Sequence, residues 1–556
     1  MAKINFEEYG DVTQASVDRV ELPLYGFTPS SMQLDFFHWI HGKNGSAVLQ
    51  AVAGSGKSTT IVRCLPYISQ TASVTILAFN AIIAAEMREK IKKLGSKLGI
   101  NFDRVDAKTF HSLGYGAVRK RLGNVQLEGN KLISLFRDLV NRQDDRFVVE
   151  TEENELLTPD QIIEMYGSFV SRLVSLGKGI GIGCLVKDTR SVWQDLVDHH
   201  DLSLDSQDAN EQEAILLAHY LLEASNQAAE EGLIDFDDQI YLPILWRLKL
   251  WQNDFLFVDE AQDTNPVRRA LCKLALRPGG RLIAVGDSHQ AIYGFTGASH
   301  DAIDQIKEQF NAIELPLTVS YRCPKVAESL VNHLVPHFSV HESAIEGSVS
   351  HVSVKTGLEK LTHEDAILCR NTAPLVELAF QIIASGRGCI VLGKDIGQGL
   401  INLINKQKAK GLLALTAKLE AFRDREVSKF MAKGEEQKAE AITDRVACIL
   451  TVVDHLYENE RTIPALVNKI LGMFSDDQGS KKLLVLSTAH KAKGREWDQV
   501  AILQPELMPS KWARQAHQMQ QELNLQYVSW TRFKVNLFFL DGVDSREGTS
   551  DSCSKP

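Results

Sequence analysis

Two short stretches of this chain carry residue types that can handle phosphate. In "LQAVAGSGKSTTIV", Leu49 to Val62, an apolar run gives way to Gly54, Ser55, Gly56, Lys57, Ser58 and Thr59 and then to a helical pattern. Glycines let backbone N–H groups turn toward an anion, the helix start adds the positive end of its dipole, and Lys57 supplies a point charge. The Ser58 hydroxyl is the natural magnesium ligand. Ala51 occupies the place of the usual first glycine, so the reading leans on its flanks, where Val48–Val52 suits a buried parallel strand. The second stretch, "FLFVDEAQD" from Phe255 to Asp263, is a hydrophobic strand ending in adjacent carboxylates. Asp259 is expected to hold Mg2+ through water while Glu260 polarises the attacking water, the division of labour that phosphoryl transfer requires. A third apolar run, Leu282 to Val285, leads into "GDSHQAIYGFTGA" and puts Gln290 where it can sense a γ-phosphate. Together they predict ATP hydrolysis, with ATP and Mg2+ as cofactors.

Three strands that end in functional loops at one edge imply a parallel sheet, so the fold class is α/β. At 556 residues and 44% apolar content, the chain is long enough for several domains. Its formal net charge of -10 gives no global basic field, so any nucleic-acid site must be a local groove. The eight cysteines are scattered without a C-x-x-C pair and read as reduced thiols of a cytoplasmic protein. "MAKINFEEYGDV" lacks an apolar signal core, and no apolar run approaches the roughly 20 residues a membrane span needs. No membrane association is expected.

Further motifs follow in a fixed order. "PSSMQ" ends in Gln33; "ILAFNAIIAAEM" contains Phe79; "KTFHS" contains Thr109, Phe110 and His111; "IDFDDQI" spans Ile234 to Ile240. "VSYRCP" contains Tyr321 and Arg322, "LSTAHKAKGREWDQV" contains His490, Lys493 and Glu496, and "QELNLQYVSWTRF" contains Arg532. With the two phosphate stretches, this series resembles the UvrD/Rep branch of superfamily 1 helicases (superfamily 1A). The "GKNGSAVLQAVAGSGKS" context is similar to phage-type UvrD-like proteins and the F-box DNA helicases. The resemblance implies that Gln33 reads adenine, Tyr321 stacks on it, Glu496 meets the ribose, and Arg322 and Arg532 reach the γ-phosphate. It also implies that Phe79, Thr109, Phe110, His111, His490 and Lys493 face DNA, with 3′-to-5′ polarity. Arginines so far along the chain from Lys57 make sense if a second α/β lobe closes over ATP and each hydrolysis drives a hinge cycle.

For the strand path, Tyr293, Phe295, Phe79 and Phe110 are the aromatic candidates, since a base on a ring gains roughly 1 to 3 kcal/mol regardless of its identity. Phe79 and Phe110 suit a core equally well. Thr296 and Ala81 stand where relatives often carry cations, so this chain is expected either to grip DNA more weakly or to rely on other basic groups.

The motif spacing predicts two RecA-like motor lobes, each with a mostly helical insertion. Residues 1–112 and 228–312 form the ATP-binding first lobe, 113–227 its insertion, 313–395 and 479–543 the second lobe, 396–478 a short second insertion, and 544–556 a disordered tail. Thr158 and Pro159 should open a helix in the first insertion, where Glu211 to Glu231 is another. In the second, Leu412, Leu415, Leu419, Phe422, Ile442, Val446, Ile449, Val453 and Leu456 fall at helical spacing, and the charged run Arg423 to Glu440 reads as a solvated face. Three readings follow. The first is an ATP-dependent DNA helicase of replication, repair or recombination, a monomer acting on single strands and single/double-strand junctions. The second is a translocase that strips proteins from DNA. The third is an ATP-gated subunit with a repair, replication or defence partner.

Overall fold

The computed structural model describes residues 22–150, 155–200, 202, 204, 209–292, 301–432, 436–475 and 483–541. Two fully parallel sheets organise the chain. The first contains β1 (Ala47–Ala51), β2 (Val74–Ala78), β3 (Val105–Thr109), β4 (Asn253–Asp259), β5 (Leu276–Gly286) and β6 (Ile313–Leu317), in the order β3-β2-β4-β5-β1-β6. The second contains β7 (Ser348–Val352), β8 (Ala366–Cys369), β9 (Cys389–Leu392), β10 (Phe474–Ser475), β11 (Leu484–Thr488), β12 (Trp497–Leu503) and β13 (Phe533–Leu540), in the order β7-β13-β12-β8-β11-β9-β10. The expected strand stretches all fall within these elements or one residue from their ends.

Side-chain alternation builds a core on each face of each sheet. In the first, Ala47, Leu49, Ile76, Phe257 and Ile283 pack with Phe36, Phe37 and Ile61 on one side. Val48, Leu77, Leu256, Val258 and Ala284 pack with Phe110, Val267 and Leu271 on the other. Strands covered on both faces read as near-continuous apolar runs, which explains "AVLQA" and "VTILA". A further core crosses between the lobes: Val52, Ala53 and Ile292 pack with Cys323, Tyr527 and Val528.

The first insertion has its own core, in which Phe136, Tyr166, Val170, Trp193, Leu217 and Leu221 are buried together. Thr158 caps helix Pro159–Ile180 in a capping box with Gln161, and helix Glu211–Glu230 follows as expected. At the base lies a fully enclosed ionic quartet. Lys131 Nζ meets Asp238 at 2.7 Å, and Lys178 Nζ meets Asp235 and Asp238 at 2.6 Å each. Two of the three "IDFDDQI" acids, Asp235 and Asp238, therefore neutralise two buried lysines, a structural role in which removing one partner costs about 3–5 kcal/mol.

Three expectations are corrected. The second lobe was placed from 313, yet β6 (Ile313–Leu317) pairs with β1 in the first sheet, Ala47 opposite Ile313 and Ala51 opposite Leu317. The stretch 396–478 does not stand apart as an insertion. Its Leu415, Leu419, Val446, Ile449, Val453 and Leu456 share one core with Ile367, Val376, Ile382 and Leu486 of the second lobe, and its last residues supply edge strand β10. The apolar face is wide enough to need the sheet's helices as cover. The run Arg423 to Glu440 is not uniformly solvated either: Glu426 and Glu436 are buried, and Lys429 Nζ donates to the Leu204 carbonyl of the first insertion at 2.8 Å. Residues 544–556 lie outside the described residues.

Candidate nucleotide site

The C-terminal edge of the first sheet converges on one cleft. After β1 the chain turns through Gly54 (φ +75°) and Gly56 (φ +80°) into helix Lys57–Cys64. Both glycines sit in the left-handed region that a side chain rarely adopts. Gly54 has a second reason to be glycine: a Cβ there would lie 2.6 Å from Arg322 Cβ and 2.6 Å from Ser320 Oγ of the second lobe. The Tyr321 N–H donates to the Gly54 carbonyl at 2.9 Å. Ser55 is buried, and among the described residues its hydroxyl has no partner. An orphaned hydroxyl within a positive-φ cradle at a helix start fits a phosphate oxygen. Ser58 is half-buried and Thr59 exposed on the first turn.

Beyond β4, Glu260 adopts φ 52° and ψ 47°, a left-handed conformation that is costly for a non-glycine residue. The turn brings its carboxylate 3.2 Å from Lys57 Nζ, and Gln262 Nε2 donates to it at 2.6 Å. Burial alone would raise Glu260, but the charges of Lys57 and Lys493 and the Gln262 hydrogen bond bring it down to about 2. Asp259 moves the other way: burial, then the neighbouring Glu260 charge, push it up to about 7. Burial works against the Lys57 charge too, yet Glu260, Asp287 and Asp259 outweigh it and hold its pKa above the usual value. A buried carboxylate pressed this hard by its neighbour suits a hard cation.

The second lobe supplies the opposite wall. Arg322 forms an ion pair through Nε with Glu496, whose other oxygen lies 3.0 Å from Lys534 Nζ. Burial opposes the Glu496 charge, but Arg322 and Lys534 hold its pKa below the usual range. Arg532 is 1% exposed, and its Nε donates to the Val528 carbonyl at 2.7 Å. Burial first, then the Arg322 charge, lower it to about 10. The Tyr321 ring is 45% exposed, with the His341 ring 4.8 Å away. Gln33 is buried beside the cradle, its Nε2 donating to Thr60 Oγ1 at 2.9 Å and its Oε1 accepting the Ser30 N–H of a capping box.

Gln290 joins the same cleft through a linkage the sequence did not disclose. Its Nε2 donates to Asp287 Oδ2 at 2.7 Å, and the same oxygen accepts from Tyr527 Oη at 3.3 Å. The Tyr527 hydroxyl also accepts the Ala53 N–H at 2.8 Å, tying the phosphate loop to the second lobe across 474 residues. One helical turn away, Asn524 Nδ2 donates to the Ala291 carbonyl at 3.0 Å. Asp287 and Asn524 lie inside quoted motifs, but nothing in their spacing announces that they meet.

The residues expected to face DNA divide. Phe110 is 3% exposed and belongs to the core, while Phe79 and His111 are half-buried. Thr109 caps the helix Phe110–Leu122, its hydroxyl accepting the Ser112 N–H. Lys493 Nζ is held at 2.9 and 2.8 Å by the Asp263 oxygens and at 2.6 Å by the Gln290 carbonyl, so in this state it bridges the lobes rather than reaching outward. Burial, then the nearby Arg370 charge, lower His490 to about 4, leaving it neutral. Tyr293 and Phe295 lie outside the described residues. Among the described residues no helix is long and apolar enough to cross a membrane.

Comparison with known proteins agrees with this geometry. Residues 38–311 match the UvrD/REP helicase N-terminal domain. The chain is 29% identical over 298 residues to the ATP-dependent DNA helicase Rep of Escherichia coli, covering 50% of this chain and 39% of that one. It is 27% identical over 313 residues to the probable DNA helicase II homolog of Mycoplasma pneumoniae, covering 52% and 40%. It is 25% identical over 346 residues to the ATP-dependent DNA helicase PcrA of Staphylococcus aureus, covering 60% and 43%. The matched stretch thus spans about two fifths of the length of these relatives.

Proposed function

We propose, on the premise that this chain belongs to the UvrD-like superfamily 1 through residues 38–311, that it hydrolyses ATP to move 3′ to 5′ along single-stranded DNA and unwind duplex. The observation that carries the reading is the split cleft, with a phosphate cradle and acids at the edge of the first sheet facing Arg322, just after the short strand Val319–Ser320, and Arg532, just before β13 of the second sheet, the two sides touching at Gly54.

In this reading Lys57 and the N–H groups after Gly54 bind the terminal phosphates, and Ser55 gives its hydroxyl to a phosphate oxygen. Ser58 and Asp259 would hold Mg2+, which offsets phosphate charge when bound. Glu260, kept ionised beside Lys57, orients the attacking water and accepts its proton. A triphosphate carries more charge than the Glu496 carboxylate, so Arg322 exchanges that partner for the γ-phosphate while Arg532 closes behind it. Glu496 is then released toward the ribose. Tyr321 offers its exposed ring to adenine, with Gln33 alongside. Gln290, through Asp287 and Tyr527, lets each lobe feel the state of the other, and the resulting hinge cycle advances the strand.

The test is displacement of a labelled strand from duplexes carrying a 3′ or a 5′ single-stranded overhang, with ATP and Mg2+. Displacement from the 3′ overhang alone is expected. Displacement only from the 5′ overhang overturns the polarity, and DNA-stimulated turnover without displacement replaces unwinding by translocation.

A further inference from the structure

Two of the four rings considered for stacking on bases hold an arginine. The Arg268 guanidinium lies 5.4 Å from the Phe79 ring centroid and 5.7 Å from that of Phe110. Arg268 follows the acidic turn, on helix Pro266–Ala275, at the edge of the sheet where β2 and β3 also end. Its Nη1 donates to the Asp263 carbonyl at 3.1 Å, and among the described residues its buried Nε and its Nη2 have no hydrogen-bond partner. Such a fork is fixed by its aromatic setting but incompletely satisfied.

The charges around it leave an anion's place. The Asp263 carboxylate is taken by Lys493. Asp237 is the other acid acting on Arg268, and it also acts on Arg172 of helix Pro159–Ile180 while accepting the Ser175 hydroxyl at 2.6 Å. His111 stays neutral, because burial and the Arg268 charge lower its pKa. Both acids that act on Arg268 are thus engaged elsewhere as well, Asp263 by Lys493 and Asp237 by the Ser175 hydroxyl. Arginine suits phosphate because its planar fork pairs with two oxygens.

We propose that Arg268 binds a backbone phosphate of the single strand, and that Phe79 and Phe110 serve to hold Arg268 rather than to stack on bases. This rests on the DNA-motor reading and supplies the cation that Ala81 and Thr296 do not.

The test is binding of a fluorescent oligothymidylate to the full chain over a series of salt concentrations, comparing wild type, R268K and R268Q. For single strands the log-log salt slope changes by about 0.7 for each phosphate contact. R268Q is expected to lose about 0.7 from the slope and to bind several-fold more weakly, and R268K to keep the slope. A wild-type slope and affinity in R268Q would overturn the proposal. Phenylglyoxal modification of wild type gives a second measure that needs no variant to fold: the oligothymidylate should protect Arg268, and equal modification with and without it would also overturn the proposal. Failure of the wild type to bind any oligothymidylate would instead remove the motor reading itself.

Discussion

On the first wall of the nucleotide cleft the reacting groups already face one another, Lys57 against Glu260 at 3.2 Å with Gln262 bracing the carboxylate. On the second wall the charged groups are engaged elsewhere, Arg322 on Glu496 and Arg532 on the Val528 carbonyl. The first wall is built from two strand-to-loop turns of a single sheet, so its geometry is set before any ligand arrives. The second must exchange partners to act. In the proposed reading, a cleft with one preset wall and one that answers to phosphate would convert nucleotide binding into lobe movement, since only the differential contacts of the second wall distinguish the liganded state.

The largest effects should come from the responsive wall. Arg322→Ala and Arg532→Lys are each expected to lower ATP turnover by about 10³-fold or more while nucleotide still binds, because arginines on a transferring phosphoryl group are worth roughly 10³–10⁵ in rate. Turnover within a few-fold of wild type would make this wall a bystander. Next is Glu260→Gln on the preset wall, expected to cut turnover by about 10²–10⁴ with ATP affinity retained, as measured by steady-state rates beside nucleotide titration. Tyr527→Phe should act more gently. It removes the hydroxyl that joins the Ala53 N–H to Asp287, a contact worth about 1 kcal/mol, and should reduce the ratio of DNA-stimulated to unstimulated turnover more than either rate's dependence on ATP.

The smallest effect is one of pH. Burial and Glu260 raise Asp259 to about 7 in the folded chain, above the carboxylate's ordinary unfolded value. The folded state then holds the extra proton, so this group's contribution is fully present below the unfolded carboxylate value of about 4 and is lost as pH rises to about 7. Thermal midpoints of the metal-free protein should fall between about pH 4 and 7, and Mg2+ should flatten that decline. An identical profile with Mg2+ would detach the cation from Asp259.

The contrast between the walls is also a contrast in what could be read from the residues. The cradle at Gly54 to Ser58 and the acids at 259 and 260 were legible because each is a local motif whose geometry follows from strand, turn and helix. The Tyr527 linkage was not, since it joins backbone and side chain 474 residues apart and tyrosine alone carries no signal of that. Phe79 and Phe110 stayed open for a related reason: an aromatic ring reads equally as core or as a stacking surface until the fold places Arg268 against it. The helices of 396–478 were recognised by period, but periodicity shows that a face is covered and not by what, and here the cover is the second lobe itself.

The most direct test of the two-walled motor is steady-state ATP turnover by the full chain with and without single-stranded DNA. The account predicts slow turnover alone and strong stimulation by the strand, lost in Arg532→Lys. Equal turnover in the presence and absence of DNA would contradict it, leaving a nucleotide cleft with no motor attached.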